Sequence, residues 1–319
     1  MKKDELRAEL ALHNKKLGGV WSAINKEREP RNLIRRLRIP NSNPLQYERS
    51  SKGMANLARK YHNELQPDDL PQPDHQDANL QQILDKIPIP QTLANPEIST
   101  LNSMLTDGQT EKALHLSKTG SATGLDGCPY ILWKALKKQF NLATQTDKPG
   151  FDIIHTLTRV SQSIQMNGVD PENDFAVGWM CPIFKKKDPT EISNYRPITL
   201  LNKDCKILTK TLAIQLMDHI ETLVHKDQAG FISNCSIFNH IRLAKAIITY
   251  AKVTEENSAI VALNQEKAYD KICHVYLWET LKAFNLLELF IRTVKTLYQN
   301  TTTRIAVNGI LSKPFHEPA

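Results

Sequence analysis

Two stretches of this 319-residue chain carry side chains able to do chemistry. The first runs from Cys181 to Leu201 and places Lys185, Lys186 and Lys187 in a row, with Arg196 nine residues beyond Lys187. Between Lys185 and Lys210 there are seven basic and three acidic residues, a local excess of +4. Lysine offers a compact point charge and arginine a two-pronged donor, so such a segment suits phosphate groups. Taken alone, the lysine run reads equally as a solvated basic turn. The second stretch is Val261 to Asp270, where an apolar run leads into Asn264, Lys267, Tyr269 and Asp270.

These residues need elements to hold them. Val177 to Phe184 and Tyr195 to Leu201 have strand composition, and Lys185 to Pro189 makes the turn between them. Long amphipathic helices are predicted over Lys203–Leu223 and Ile237–Lys252. Ser258 to Leu263 is short and apolar throughout, the pattern of a strand buried on both faces. Helices are predicted over Tyr276–Phe284 and Leu287–Tyr298. Thr301 to Val307 alternates and is β-branched, and Asn308-Gly309 signals a hairpin turn.

Upstream, a helix is expected over Glu111–Leu116. Gly120 to Pro129 is a turn-rich loop, with Pro129 opening the next helix. Another helix fits Asp152–Gln165 and stops at Asn167-Gly168. Residues 1–66 read as helices broken around Pro40 and Pro44. The first of these helices carries Leu6, Leu10 and Leu17, and the second a packing stripe of Met54, Leu57, Ala58, Tyr61 and Leu65. Arg31, Arg35, Arg36 and Arg38 form a basic run, open to a phosphate-contact or a solvated reading. Pro67 to Pro73 has the composition of a linker.

Composition narrows the function classes. The net charge of +7 points towards polyanions. The five cysteines are odd in number and widely spaced, against both a disulfide framework and a zinc site. A reducing, intracellular setting, nuclear or cytoplasmic, is expected. No apolar run approaches the ~18 residues of a membrane span. No Gly-Lys-Ser/Thr follows any glycine cluster, which excludes a Walker-type phosphate loop.

The motifs together resemble the reverse transcriptases of LINE-type retrotransposons, which lack long terminal repeats. Pro182-Ile183-Phe184-Lys185-Lys186-Lys187-Asp188-Pro189 followed by Asn194-Tyr195-Arg196-Pro197-Ile198-Thr199-Leu200-Leu201 is similar to the fingers of that family. Gly124-Leu125-Asp126-Gly127-Cys128-Pro129 resembles its Gly-x-Asp-Gly-x-Pro loop, and Asp227-Gln228-Ala229-Gly230-Phe231 its Asp-Gln-x-Gly-Phe segment. After the latter, Ser233-Asn234-Cys235-Ser236 stands where the family has Pro-Gly-Arg-Ser. Leu263 to Asp270 resembles the first catalytic strand, Leu-Asp-x-x-Lys-Ala-Phe/Tyr-Asp, with Asn264 at the metal-binding aspartate.

The resemblance implies an α+β fold: a helical region over 1–66, a proline-rich linker over 67–110, fingers over 111–257 and the first part of the palm over 258–319. It implies nucleotide contacts by Lys185, Lys186, Lys187 and Arg196. Tyr269 matches the aromatic beneath the nucleotide sugar, and Lys267, Asp270, Gly124, Asp126 and Gly127 match further motif positions. RNA or DNA is the implied partner, bound electrostatically and without sequence preference. Intact members bind Mg2+ between carboxylates. An amide at Asn264 removes one anion from that site, costing about 3–5 kcal/mol of electrostatic stabilisation. The sequence also stops before a second acidic motif. The expectation is therefore a truncated, inactive polymerase with no metal bound, or else a non-catalytic nucleic-acid-binding module or a pseudogene product with no stable role.

Overall fold

The computed structural model describes residues 33–65, 80–87, 100–170, 172–232, 235–255, 257–265, 267–269, 272–299 and 301–316. The first helix expected in 1–66, the Pro67–Pro73 stretch and Asp270 lie outside them, and of the expected 67–110 linker only 80–87 and 100–110 are described, the latter entering helix at Asp107. The chain divides into two compact units.

The first unit comprises the described part of Met1–Lys60 with Met180–Ile198 and Arg304–Lys313. Its short strands β1 (Leu37–Arg38) and β2 (Tyr47–Glu48) pair antiparallel. Helix α1 (Ser51–Asn63) follows; of the expected stripe Met54 and Ala58 are buried, while Leu57, Tyr61 and Leu65 are half-buried. The larger sheet is mixed into this unit through β3 (Gly178–Phe184), β4 (Tyr195–Leu201), β5 (Thr302–Val307) and β6 (Ile310–Leu311), in the order β4-β3-β5-β6. Asn308 and Gly309 both have positive φ, 51° and 83°, which makes the β5–β6 connection a tight hairpin turn. Asn308 does more than turn the chain. Its Oδ1 accepts from the Ile34 amide at 2.9 Å, and its Nδ2 donates to the Ile34 carbonyl at 2.8 Å and to Ser51 Oγ at 3.2 Å.

The second unit is mostly helical. Helix α2 (Asp107–His115) starts four residues earlier than expected because Thr106 and Gln109 form a reciprocal capping box. Pro129 sits at the N-cap of α3 (Tyr130–Gln145). Asp152 caps α4 (Ile153–Asn167), and Gly168, at φ 85°, ends it. Helix α5 (Lys203–Met217) stops short of the predicted single helix. Asp218 and His219 close it, His219 Nε2 pairs with Thr100 Oγ1 at 2.9 Å, and helix resumes only as α6 (Ile220–Leu223).

Helices α8 (His274–Ala283) and α9 (Glu288–Tyr298) match their sequence patterns. One core joins Leu208 and Leu212 of α5 to Phe290 and Ile291 of α9. The other joins Ala113 and Leu114 of α2 to Ile154 and Leu157 of α4. A last strand, β7 (Phe315–His316), pairs with the start of β5 through Thr302↔His316 and Thr303↔Phe315. The mixture of helix and strand agrees with the expected α+β class.

One expectation fails. Ser258–Leu263 is not a strand: residues 257–265 have no regular structure, and Leu263 is 91% exposed. Helix α7 (Ile237–Val253), directly before it, has no buried residue, and Phe238, Ile241, Ile247 and Ile248 are apolar and exposed. The physical reason is the ladder. A strand buried on both faces must give its amides and carbonyls to neighbouring strands, and among the described residues none pairs with this segment.

Candidate nucleic-acid interface

The basic turn sits in the first unit between β3 and β4, and local chemistry braces it. The Lys185 amide donates to the Asn194 carbonyl at 3.0 Å, which keeps the two strands in register at the turn. Asp188 Oδ1 accepts from both the amide and the hydroxyl of Thr190, each at 2.8 Å. Those bonds hold the Asp188 carboxyl below its ordinary range, helped by the charges of Arg36 and Arg38. The Tyr195 hydroxyl donates to the Pro189 carbonyl at 2.6 Å, and Asn194 Nδ2 to the Asp188 carbonyl at 2.9 Å. Phe184 and Tyr195 meet edge to face, with ring centroids 5.4 Å apart.

The side chains of Asp188, Thr190, Asn194 and Tyr195 are thus used within the turn. Lys185, Lys186, Lys187 and Arg196 are exposed. Lys187 takes a left-handed φ of 74°, a conformation that a lysine holds only where its surroundings enforce it. The upstream arginines join the same frame. Arg38 donates its amide to the Thr190 carbonyl at 2.8 Å and pairs with Glu191 at 3.0 Å, and Arg36 lies 4.4 Å from the Tyr47 ring centre. Both arginines are exposed, and neither reading of that run includes these contacts.

In the second unit the Gly124–Gly127 loop rests on the start of α5. A Cβ at Gly124 would fall 2.2 Å from Asn202 Oδ1 and 2.4 Å from the Asn202 amide nitrogen. Asn202 Oδ1 accepts from the Asp126 amide at 3.2 Å, its Nδ2 donates to the Asp174 carbonyl at 3.3 Å, and Gly127 turns the chain at φ 68°. Asp126 Oδ1 accepts from the Cys128 amide at 3.0 Å. These residues shape a loop and leave no donor set for catalysis. Next to them Lys203 is fully buried, with its Nζ on Ser121 Oγ at 2.9 Å, on the Ala122 carbonyl, and 4.5 Å from the Tyr130 ring centre. Burial lowers its pKa, as does Lys206, while Asp126 opposes the shift.

The stretch around Asn264 also belongs to the second unit. Asn264 is exposed. Lys267, at φ 50°, bonds the Tyr61 hydroxyl through Nζ at 2.5 Å. Tyr269 is exposed and stands edge-on to Phe231, with centroids 6.3 Å apart. The structure therefore joins two of the motifs, the Asp227–Phe231 segment and Tyr269. Sequence reasoning missed Tyr61 as a site neighbour, because its place on the α1 stripe marked it only as core. It also missed His62, which is buried against the Tyr61 ring. Burial first and the Lys267 charge second push the His62 pKa down to about 4.

A divalent ion of the Mg2+ kind needs several oxygen donors, carboxylates foremost. Asn264 offers a neutral amide. Among the described residues no three His, Cys, Asp or Glu side chains gather in a way that could hold an ion. The donors described here do not fit the metal. Among the same residues no helix is long and apolar enough to cross a membrane.

Comparison with known proteins agrees with the motifs. Residues 184–315 match the family described as reverse transcriptase (RNA-dependent DNA polymerase). Over 297 residues the chain is 25% identical to a Xenopus laevis protein named transposon TX1 uncharacterized 149 kDa protein. That match covers 92% of this chain and 20% of the relative, so the chain spans about a fifth of the length of the curated relative it matches.

Proposed function

We propose that the chain carries a reverse-transcriptase domain of the non-LTR retrotransposon kind, which its matches support, and that this domain, as it stands, grips RNA or DNA through its basic hairpin without polymerising nucleotides. In this reading residues 111–257 act as fingers and 258–319 as the opening part of a palm. Mg2+ is not held, because the family's metal-binding carboxylate is replaced by the Asn264 amide. Lys185, Lys186, Lys187 and Arg196 contact phosphate, and Tyr269 keeps the place of the aromatic under the sugar.

The observation that carries the proposal is the braced turn. Its hydrogen bonds are spent inward at Asp188, Thr190, Asn194 and Tyr195, and four cations are left outward. A rigid cationic turn loses little entropy on meeting a backbone phosphate. No base-reading arrangement accompanies it, so binding should be indifferent to sequence and steep in salt.

The test is the salt dependence of binding to a labelled single-stranded RNA. Replacing Lys185, Lys186, Lys187 and Arg196 by Ala should weaken binding and flatten the log–log slope by up to about 0.7 per lost phosphate contact. A folded variant with an unchanged slope overturns the hairpin reading. One observation favours the rival of a product with no stable role: the apolar side chains of α7 and the Ser258–Leu263 run are exposed. Under that rival, no folded monomer binds RNA at all.

A further inference from the structure

The turn that follows α2 is held by ammonium groups. Lys134 of α3 donates its Nζ to the His115 carbonyl at 3.0 Å and to the Ser117 carbonyl at 2.6 Å. Lys210 of α5 donates to the Leu116 carbonyl at 2.7 Å and reaches Ser117 Oγ at 3.5 Å. These acceptors lie at and just beyond the C-terminal end of α2, where unsatisfied carbonyls carry partial negative charge. That charge explains why two cations can share one small region. Further along the same turn, buried Lys203 holds Ser121 and Ala122.

Between these anchors lies Lys118, exposed, in the segment Lys118-Thr119-Gly120. The field around Lys210 is cationic: burial lowers its pKa, and so do the charges of Lys134 and Lys118. The nearest ion pairs on α2 involve other lysines, Lys137 with Glu111 and Lys112 with Asp218. Among the described residues no carboxylate pairs with Lys118, Lys134 or Lys210.

We propose that this turn, with Lys118, Lys134 and Lys210, is a second phosphate-contact surface, on the helical unit, for the backbone of a single-stranded nucleic acid. This surface shares no residue with the basic hairpin, which belongs to the other unit. Each ammonium has three N–H donors. Lys134 spends two on backbone carbonyls, and Lys210 one on a carbonyl with a long contact to Ser117, so each keeps a donor for a phosphate oxygen. Their heads are already fixed by the carbonyls. A phosphate that arrives there immobilises less side chain than it would on three free lysines. Lys118 adds the mobile third charge. Carbonyls cannot neutralise three full charges, and an anion supplies what they lack.

The experiment uses the whole chain and the same labelled single-stranded RNA, titrated with salt. Lys118, Lys134 and Lys210 are changed together to Gln, which can still donate a hydrogen bond and carries no charge. Circular dichroism and thermal melting check the fold. The slope should fall by up to about 2, at roughly 0.7 per phosphate contact. If the triple variant does not fold, Lys118→Gln alone, which breaks no bond to the turn, should lower the slope by up to about 0.7. A folded variant with unchanged affinity and slope overturns the proposal. The hairpin variant separates the two readings. If it alone flattens the slope, this surface fails and the hairpin stands; if the lysine-to-glutamine variant alone does so, the reverse holds.

Discussion

Lys267 donates a hydrogen bond from Nζ to the Tyr61 hydroxyl at 2.5 Å, and its ammonium lies 4.9 Å from the centre of the same ring. The two residues are 206 positions apart. Lys267 stands in a left-handed turn three residues after Asn264, and Tyr61 is in the last turn of α1. The contact ties the segment that resembles a catalytic strand to Tyr61, which belongs to the same second unit. It also places a fixed positive charge close to His62, whose ring meets Tyr61 edge-on at 5.1 Å.

That charge has a consequence in acid. His62 is buried, and among the described residues its Nε2 has no hydrogen-bond partner; burial first and the Lys267 charge second favour its neutral form, and its pKa falls to about 4 from the ordinary 6.5. A base with a depressed folded pKa binds its proton more readily when unfolded. Its stabilising contribution is therefore full above pH 6.5, is lost as the pH falls towards 4, and changes no further below that. Two and a half pKa units correspond to about 3 kcal/mol. Urea unfolding at pH 7 and pH 4 should show His62→Phe losing less stability than the parent by about that amount. Parallel losses in the two proteins would show that His62 is not the titrating group.

Asn308 separates two roles that one residue performs. Asn308→Gly keeps the left-handed turn and gives up the bonds to Ile34 and Ser51, at a cost of about 1–3 kcal/mol. Asn308→Ala gives up the same bonds and strains the positive φ, for roughly 1 kcal/mol more. Denaturant midpoints should therefore rank parent, then Gly, then Ala. A Gly variant as stable as the parent would show the side-chain bonds to be idle.

Gly124 should tolerate nothing larger than hydrogen. Its φ is not left-handed, so the objection to a side chain is contact with the Asn202 backbone, which cannot swing aside. Gly124→Ala should cost about 1–3 kcal/mol, as overpacking does. Gly108, inside α2 with open space at its Cβ, is the contrast: Gly108→Ala should be neutral or stabilise by up to about 1 kcal/mol. Thermal melts of the two variants should move in opposite directions or leave Gly108→Ala unmoved.

The parts of this fold that follow local rules are visible in the sequence. Tyr195–Leu201 has strand composition and ends at the helix start, Asp152 and Gly168 bracket α4, and Asn308-Gly309 announces its hairpin. What escapes is whatever depends on distant partners. Lys203 reads as one more surface charge, yet it is buried because the Ser121–Ala122 turn happens to meet it. Ser258–Leu263 has the composition of a central strand, but composition supplies no neighbouring strands, and without them it stays extended and exposed. The capping box at Thr106 and Gln109 was legible and would have moved the start of α2 forward. The Lys267–Tyr61 contact was not, since neither residue's local pattern points to the other.

Asn264 carries the last expectation. The purified chain should show no primer extension with magnesium or manganese if, as proposed, the Asn264 amide stands where the family has the anion that holds the catalytic metals. Incorporation above a no-enzyme control would overturn this. Restoring the charge gives a sharper test. In Asn264→Asp the carboxylate would stand in a segment with no strand partner among the described residues, and no cluster of further acidic side chains surrounds it there. One carboxylate on an unpaired, exposed segment cannot fix two dications within the small tolerance that in-line phosphoryl transfer demands. Asn264→Asp should therefore remain inactive in primer extension while it binds RNA slightly more weakly, since it adds one negative charge. If the variant polymerises, the substitution was the whole defect, and the segment must enter a sheet when nucleic acid is bound.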